Sequence, residues 1–206
     1  MSLAAATRRA LIAAALALAA GAASAAGAPA SEPDDMALGS ARAPVTVIEY
    51  GSVGCPHCAA WSNSVFPAFK ARYIDTGRVR FVLREMLTGS PALASAGFMV
   101  ARCAGPAQYF QVVDMIFQRQ AAMFAGGAKM GPALQSIAAS VGMSEDAFDA
   151  CFSDQKGLDA VNARNQRHLN DGVDSTPTFF VNGKRYESEM TLPQLATAIA
   201  AARHRR

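Results

Sequence analysis

The chain has 206 residues, 51% of them hydrophobic, with 19 basic side chains against 16 acidic ones. That length fits one domain, or one domain carrying an insertion, and the composition excludes a disordered or collagen-like chain. Charge this near balance also argues against a nucleic-acid binder, which would carry a basic face.

The N-terminal residues read as an export signal. Arg8 and Arg9 form a short basic region, residues 10–20 are apolar, and no charge follows until Glu32. Ala23-Ser24-Ala25 fits a signal-peptidase site. The apolar run is shorter than the ~20 residues that cross a bilayer. Residues 1–26 are therefore expected to be a signal peptide, removed on export to the periplasm. Either the general secretory route or, from Thr7-Arg8-Arg9-Ala10-Leu11-Ile12, the twin-arginine route would serve. Losing Arg8 and Arg9 takes the 19 basic residues to 17, a mature net charge of about +1. Residues 27–43, rich in Ala, Gly, Pro and Ser, are expected to form a flexible leader.

After Pro44, the β-branched run 45–50 has strand character, broken by Gly51 and Gly54 just before Cys55-Pro56-His57-Cys58. Residues 56–73 follow a helical pattern, with Pro56 suited to the first helical position and Pro67 expected to kink it. Residues 79–83 give a second strand, so this strand–helix–strand unit implies a parallel pair. From Ser90 to about Leu169 the pattern is helical. One helix starts at Ser90-Pro91 and stops at Gly105; the next opens at Pro106 and ends at Gly126-Gly127. A third, carrying Leu134, Ile137, Ala138 and Val141, is closed by Gly142; Ser144 caps a short fourth, and a fifth runs over about 157–169.

Strand signal returns at Thr178–Val181, with Asn182-Gly183 as a two-residue turn into 184–186. Thr191 and Gln194 have capping-box spacing for a last helix to about Ala202. The tail Arg203-His204-Arg205-Arg206 suits that helix's carbonyl end. The expected class is α/β. Residues 44–88 and 171–206 form the βαβ and ββα halves of one thioredoxin-like core, and 89–170 form an all-helical insertion between them.

Four cysteines in an exported chain suggest disulfides, and of the three possible pairings spacing favours Cys55 with Cys58 and Cys103 with Cys151. A single C-x-x-C cannot supply the four ligands of a zinc site, and His57 lies between the two cysteines. A structural bridge is the plainer alternative. Against it, a strand leads straight into the motif and Pro56 starts a helix behind Cys55. Amides at a helix N-terminus favour a thiolate, which is the nucleophile of disulfide exchange. His57 could add positive charge or a donor. Stabilising the thiolate stabilises the reduced form and makes the disulfide a stronger oxidant, with Cys58 resolving.

Val47-Ile48-Glu49-Tyr50, Cys55-Pro56-His57-Cys58 and Ser175-Thr176-Pro177-Thr178-Phe179 resemble the DsbA family of bacterial thiol–disulfide oxidoreductases, over about residues 39–202. The resemblance implies an oxidase of reduced, unfolded exported proteins. It would work as a monomer with no cofactor beyond its own disulfide and no metal, and a DsbB-like membrane quinone reductase would reoxidise it. It implies a cis bond before Pro177, with Thr176 flanking the disulfide where the best-known oxidising members carry Val. It further implies that Glu49 is a buried carboxylate relaying a proton for Cys58, and that Cys103–Cys151 is a second, structural disulfide. Without it, Glu49 reads as an exposed strand-end acid, and free buried thiols are the plainer alternative for Cys103 and Cys151, against which export favours a bridge. An isomerase or reductase of the same fold is the alternative, and a copper carrier using Cys55, His57 and Cys58 a more distant one. His168 and His204 are expected on the solvated surface, Trp61 in the core, and Phe179 and Phe180 covered.

Overall fold

The computed structural model describes residues 29, 31–125 and 130–204; the segment 1–26, expected as a signal peptide, and Gly126-Gly127, Arg205 and Arg206 lie outside them. Strands β2 (Val45–Gly51) and β3 (Val79–Glu85) pair in parallel, with Val47 opposite Phe81 and Glu49 opposite Leu83. On the other side of β2 lies β4 (Thr178–Val181), antiparallel, with Phe179 opposite Glu49. Strand β5 (Lys184–Glu187) closes the hairpin at that edge. Asn182 and Gly183 both have left-handed φ, 44° and 84°, as a tight two-residue turn between right-twisted strands requires. Strand alternation sends Val45, Val47, Phe81, Leu83, Phe179 and Val181 into the main core. Ile48, Tyr50, Val82 and Phe180 form a second cluster on the opposite face.

The expected helix after the C-x-x-C motif is three pieces: α1 (Pro56–Ser64), α2 (Phe66–Phe69) and a π-helical turn over Lys70–Ile74. Pro67 has no N–H to continue the ladder, so the break falls at Val65 and Pro67 sits in the first turn of α2, where a missing donor costs nothing. Between the halves lie α3 (Pro91–Cys103), α4 (Tyr109–Phe124), α5 (Met130–Ser140), α6 (Glu145–Phe152) and α7 (Gln155–Asn170). Ser90 and Ser144 cap α3 and α6 by accepting the N–H of Leu93 and of Ala147. Helix α4 starts three residues after Pro106, which lies in a turn. Cys103 and Cys151 are joined in a disulfide that ties α3 to α6. The last helix, α8 (Leu192–Arg203), has the Thr191–Gln194 capping box, each side chain bonding the other's backbone N–H. The two halves share one five-stranded sheet, ordered β1-β3-β2-β4-β5. This is an α/β, thioredoxin-like arrangement with helices inserted between its halves.

Two expectations are corrected. The segment expected as flexible leader contains a strand, β1 (Met36–Leu38), antiparallel on the free edge of β3. Its acids are counter-ions: Asp35 accepts from the buried Arg84 at 3.0 Å, and Arg167 reaches Glu32 and Asp34, each at 2.9 Å. Small residues around these acids dominate the composition and hide the pairing. His168 is buried, 2% exposed, rather than solvated. It lies on the inner face of α7 with Val161 and Arg164, its Nδ1 2.9 Å from the Glu85 carbonyl oxygen and its ring edge against Tyr50. His204, Trp61, Phe179 and Phe180 lie as expected.

Glu85, at the end of β3, is the junction between sheet and helices. Its carboxylate, 1% exposed, accepts from Arg102 of α3 at 2.6 Å, Tyr109 of α4 at 2.9 Å and Arg164 of α7 at 2.5 Å.

Candidate active site

Cys55 is the N-cap of α1, with extended backbone (φ −99°, ψ 122°) and Pro56 at the first helical position. Proline has no N–H, so the first amides of the helix belong to His57 and Cys58. Neither closes a capping hydrogen bond on the sulfur. Both dipoles nevertheless favour an anion there.

Both thiols are free; Cys58 is fully buried and Cys55 is 6% exposed. The Ser52 N–H donates to the Cys58 sulfur at 3.4 Å, and the Cys55 thiol points at the Thr176 carbonyl oxygen at 3.5 Å. The Thr176-Pro177 bond is cis. Behind it, the Thr176 hydroxyl meets that of Thr88 at 2.5 Å. Sequence reasoning missed Thr88.

Two glycines let the supporting loops meet backbone to backbone. A Cβ on Gly54 would stand 2.3 Å from the Ser90 carbonyl oxygen. Gly89 has φ +71°, and a Cβ there would lie 2.1 Å from the Gly54 carbonyl oxygen. The Ser90 N–H then bonds Gly54, and the Ser52 hydroxyl bonds the Thr88 carbonyl. From the helical block, Gln120 of α4 donates to the carbonyls of Val53 and Cys55 at 2.7 and 3.1 Å. Gln120 was also missed. Its signal was available, because it occupies the buried stripe 109, 112, 113, 116, 117, 120 and 123 as the one polar amide on it.

These surroundings split the two thiols. Cys55 is lowered from 9.0 to about 5, chiefly by the hydrogen bond from the Cys58 thiol, against the opposing effect of burial, with Thr176 and the amides of Cys58 and His57 adding to it. Cys58 is pushed well above 9.0 by burial first, then by that same hydrogen bond and by the charges of Glu49 and Cys55. Glu49, 3% exposed, is raised from 4.5 to about 8 by burial and by the Cys55 charge. Its neighbours across the sheet, Leu83 and Phe179, offer no charge to offset the loss of water. The imidazole of His57 is three-quarters exposed and bonds Glu189 at 2.8 Å. What His57 gives the Cys55 sulfur comes through its backbone amide. The expected His57 side-chain contribution is thus replaced by a contact on the rim of a groove of about 460 Å³, lined by His57, Ser175, Thr176, Pro177 and Glu187 to Glu189.

The arrangement is a surface-poised, acidic thiol paired with a buried, basic one. Such a pair suits attack at one sulfur and release from the other. The family model described as thioredoxin matches residues 31–201, and the chain belongs to the thioredoxin family, on its DsbA-like branch. It is 33% identical over 156 residues to a protein-disulfide oxidoreductase of Rickettsia typhi, covering 75% of this chain and 57% of that one. With the homologue of Rickettsia conorii the identity is 31% over 171 residues, covering 82% and 60%. The chain thus spans about three-fifths of the length of these curated relatives. Among solved structures, α-DsbA1 of Wolbachia pipientis superposes with TM-score 0.75 at 26% identity, covering 85% of this chain and 94% of that one.

Proposed function

We propose that the chain is an exported thiol–disulfide oxidoreductase that oxidises dithiols in other exported proteins through the Cys55–Cys58 pair. The observation that carries this reading is the opposite displacement of the two thiols, Cys55 down to about 5 and Cys58 well above 9.0. A substrate thiolate attacks Cys55 Sγ of the oxidised pair. The Cys55–Cys58 bond breaks, its electron pair leaves on Cys58 Sγ, and a mixed disulfide forms at Cys55. Cys58, basic where it lies, takes a proton from Glu49. The second substrate thiolate attacks the substrate sulfur of the mixed disulfide, and Cys55 leaves as the thiolate its surroundings favour. The substrate gains a disulfide and gives up two electrons to the enzyme and two protons to solvent; the proton on Cys58 is the one that Glu49 released.

In this reading Thr176 and Pro177 line the groove beside Cys55, which receives the substrate's extended backbone. Pro56 starts the helix whose amides face the nucleophile. The Cys103–Cys151 bridge fits a compartment where thiols oxidise. That compartment would be the periplasm, reached by cleavage after residue 26. Among the described residues no helix is long and apolar enough to cross a membrane. A DsbB-like, quinone-linked membrane partner would restore the disulfide. Mixing oxidised protein with a reduced dithiol peptide is expected to give one peptide disulfide per chain. A peptide still reduced at equilibrium, with the Cys55–Cys58 bond intact, overturns the proposal.

A further inference from the structure

Once Cys58 has taken its proton, Glu49 is left as a buried carboxylate, and its surroundings restrict how it exchanges protons with solvent. Leu83 and Phe179 flank it on the sheet, and Trp61 of α1, which packs on Phe179, lines the same cavity. One carboxylate oxygen, Oε1, has no hydrogen-bond partner although fully buried. An unpaired buried polar atom is costly unless something occasional, such as water, pairs with it.

Glu49 also lines a small cavity of about 20 Å³, large enough for a single water. Its other walls are Trp61, Leu83 and the phenyl rings of Phe66, Phe81, Phe110 and Phe117, with Val113. Only Ser62 and Asp114 interrupt that apolar lining. Ser62 is a buried residue of α1, and Asp114 is a half-exposed residue of α4 whose Oδ2 accepts from Gln118 at 2.7 Å. Burial raises the Asp114 carboxyl above its usual range, which suits it to passing a proton rather than holding a fixed charge.

We infer that Asp114 is the outer station of a proton path, through the one-water cavity beside Ser62, by which Glu49 exchanges protons with solvent. The inference rests on Glu49 serving Cys58 as described above. When Cys58 takes a proton from Glu49, the carboxylate left behind is reprotonated by the cavity water, that water by Asp114, and Asp114 by bulk solvent. Reoxidation runs the same path outward. Asp114 touches neither sulfur nor substrate; it acts through Glu49. The titratable groups around Glu49 are Cys55 and Cys58 at the start of α1 and Asp114 on α4, while β3 and β4 present Leu83 and Phe179.

The test follows the Glu49 carboxyl itself. In reduced protein, a pH jump across 8 is read by time-resolved infrared at the protonated-carboxyl stretch, assigned by its loss in Glu49→Gln. Asp114→Asn is expected to slow the relaxation at least about tenfold without moving its equilibrium midpoint. Asp114→Glu restores the rate. Ser62→Val, which fills the space for water, slows it as Asp114→Asn does. An unchanged rate in Asp114→Asn, or slowing with a displaced midpoint, overturns the inference, the second because it marks a structural change at Glu49. No substrate is involved. A wild-type chain that fails to oxidise dithiols therefore defeats only the functional reading, and the path is judged separately.

Discussion

Cys55→Ser abolishes dithiol oxidation, whereas Cys58→Ser leaves a chain that captures one substrate and holds it. The contrast follows from which sulfur meets solvent and which is sealed. Cys55 is the N-cap, its sulfur facing the Thr176 carbonyl oxygen, and is the thiol whose anion is favoured. Replacing its sulfur by oxygen removes both the disulfide and the sulfur that a substrate attacks. Cys58 is fully buried, so no external thiol reaches it. Without Cys58, a mixed disulfide formed at Cys55 from an activated substrate loses its internal resolving thiol. Mass spectrometry after mixing with a disulfide-activated peptide is expected to give one adduct per Cys58→Ser chain and none on Cys55→Ser. Adduct on the latter, located at Cys58, would contradict this division of labour.

Glu85→Ala is expected to cost about 3–5 kcal/mol of stability, because it leaves buried positive charge without its partner. The carboxylate binds Arg102, Arg164 and the Tyr109 hydroxyl at once, and these come from three helices. Its loss leaves the Arg164 side chain, 9% exposed, with only the more distant Asp34 carboxylate at 3.8 Å, and a fully buried phenol without its acceptor. Glu85→Gln keeps the shape and one acceptor oxygen, and is expected to lose less. Guanidinium unfolding at equilibrium measures both, with wild type and variants kept oxidised at Cys103–Cys151. A loss below about 1 kcal/mol for Glu85→Ala would mean that the arginines find water or other acids at little cost.

Glu85 also illustrates what the sequence could and could not reveal. Strand alternation, turn chemistry and caps are local, so the runs at 45–50 and 79–83, the Asn182-Gly183 turn and the Thr191–Gln194 box were legible from neighbours alone. So was the strand-to-helix placement of Cys55, from Gly54, Pro56 and the spacing to Cys58. What escaped was long-range pairing of charge. Glu32, Asp34 and Asp35 look like solvated acids in a small-residue leader until Arg84, Arg164 and Arg167 are brought against them from up to 135 residues away. His168 looked exposed for the same reason, since nothing in its own helix foretells the Glu85 carbonyl. Thr88 carries no local signature because its partner, Thr176, arrives from the other half of the core. His57 was placed correctly in the first turn of α1. Its side chain, however, is claimed by Glu189 from beyond β5, which no motif predicts.

The proposed chemistry turns on the anion at Cys55. Titrating reduced protein by thiolate ultraviolet absorbance, with Cys55→Ser as the blank, measures it directly. A midpoint near 5 is expected, with the signal essentially complete by neutral pH and the Cys58 thiol silent throughout. A midpoint near 9, that of an ordinary cysteine, would contradict the proposed chemistry.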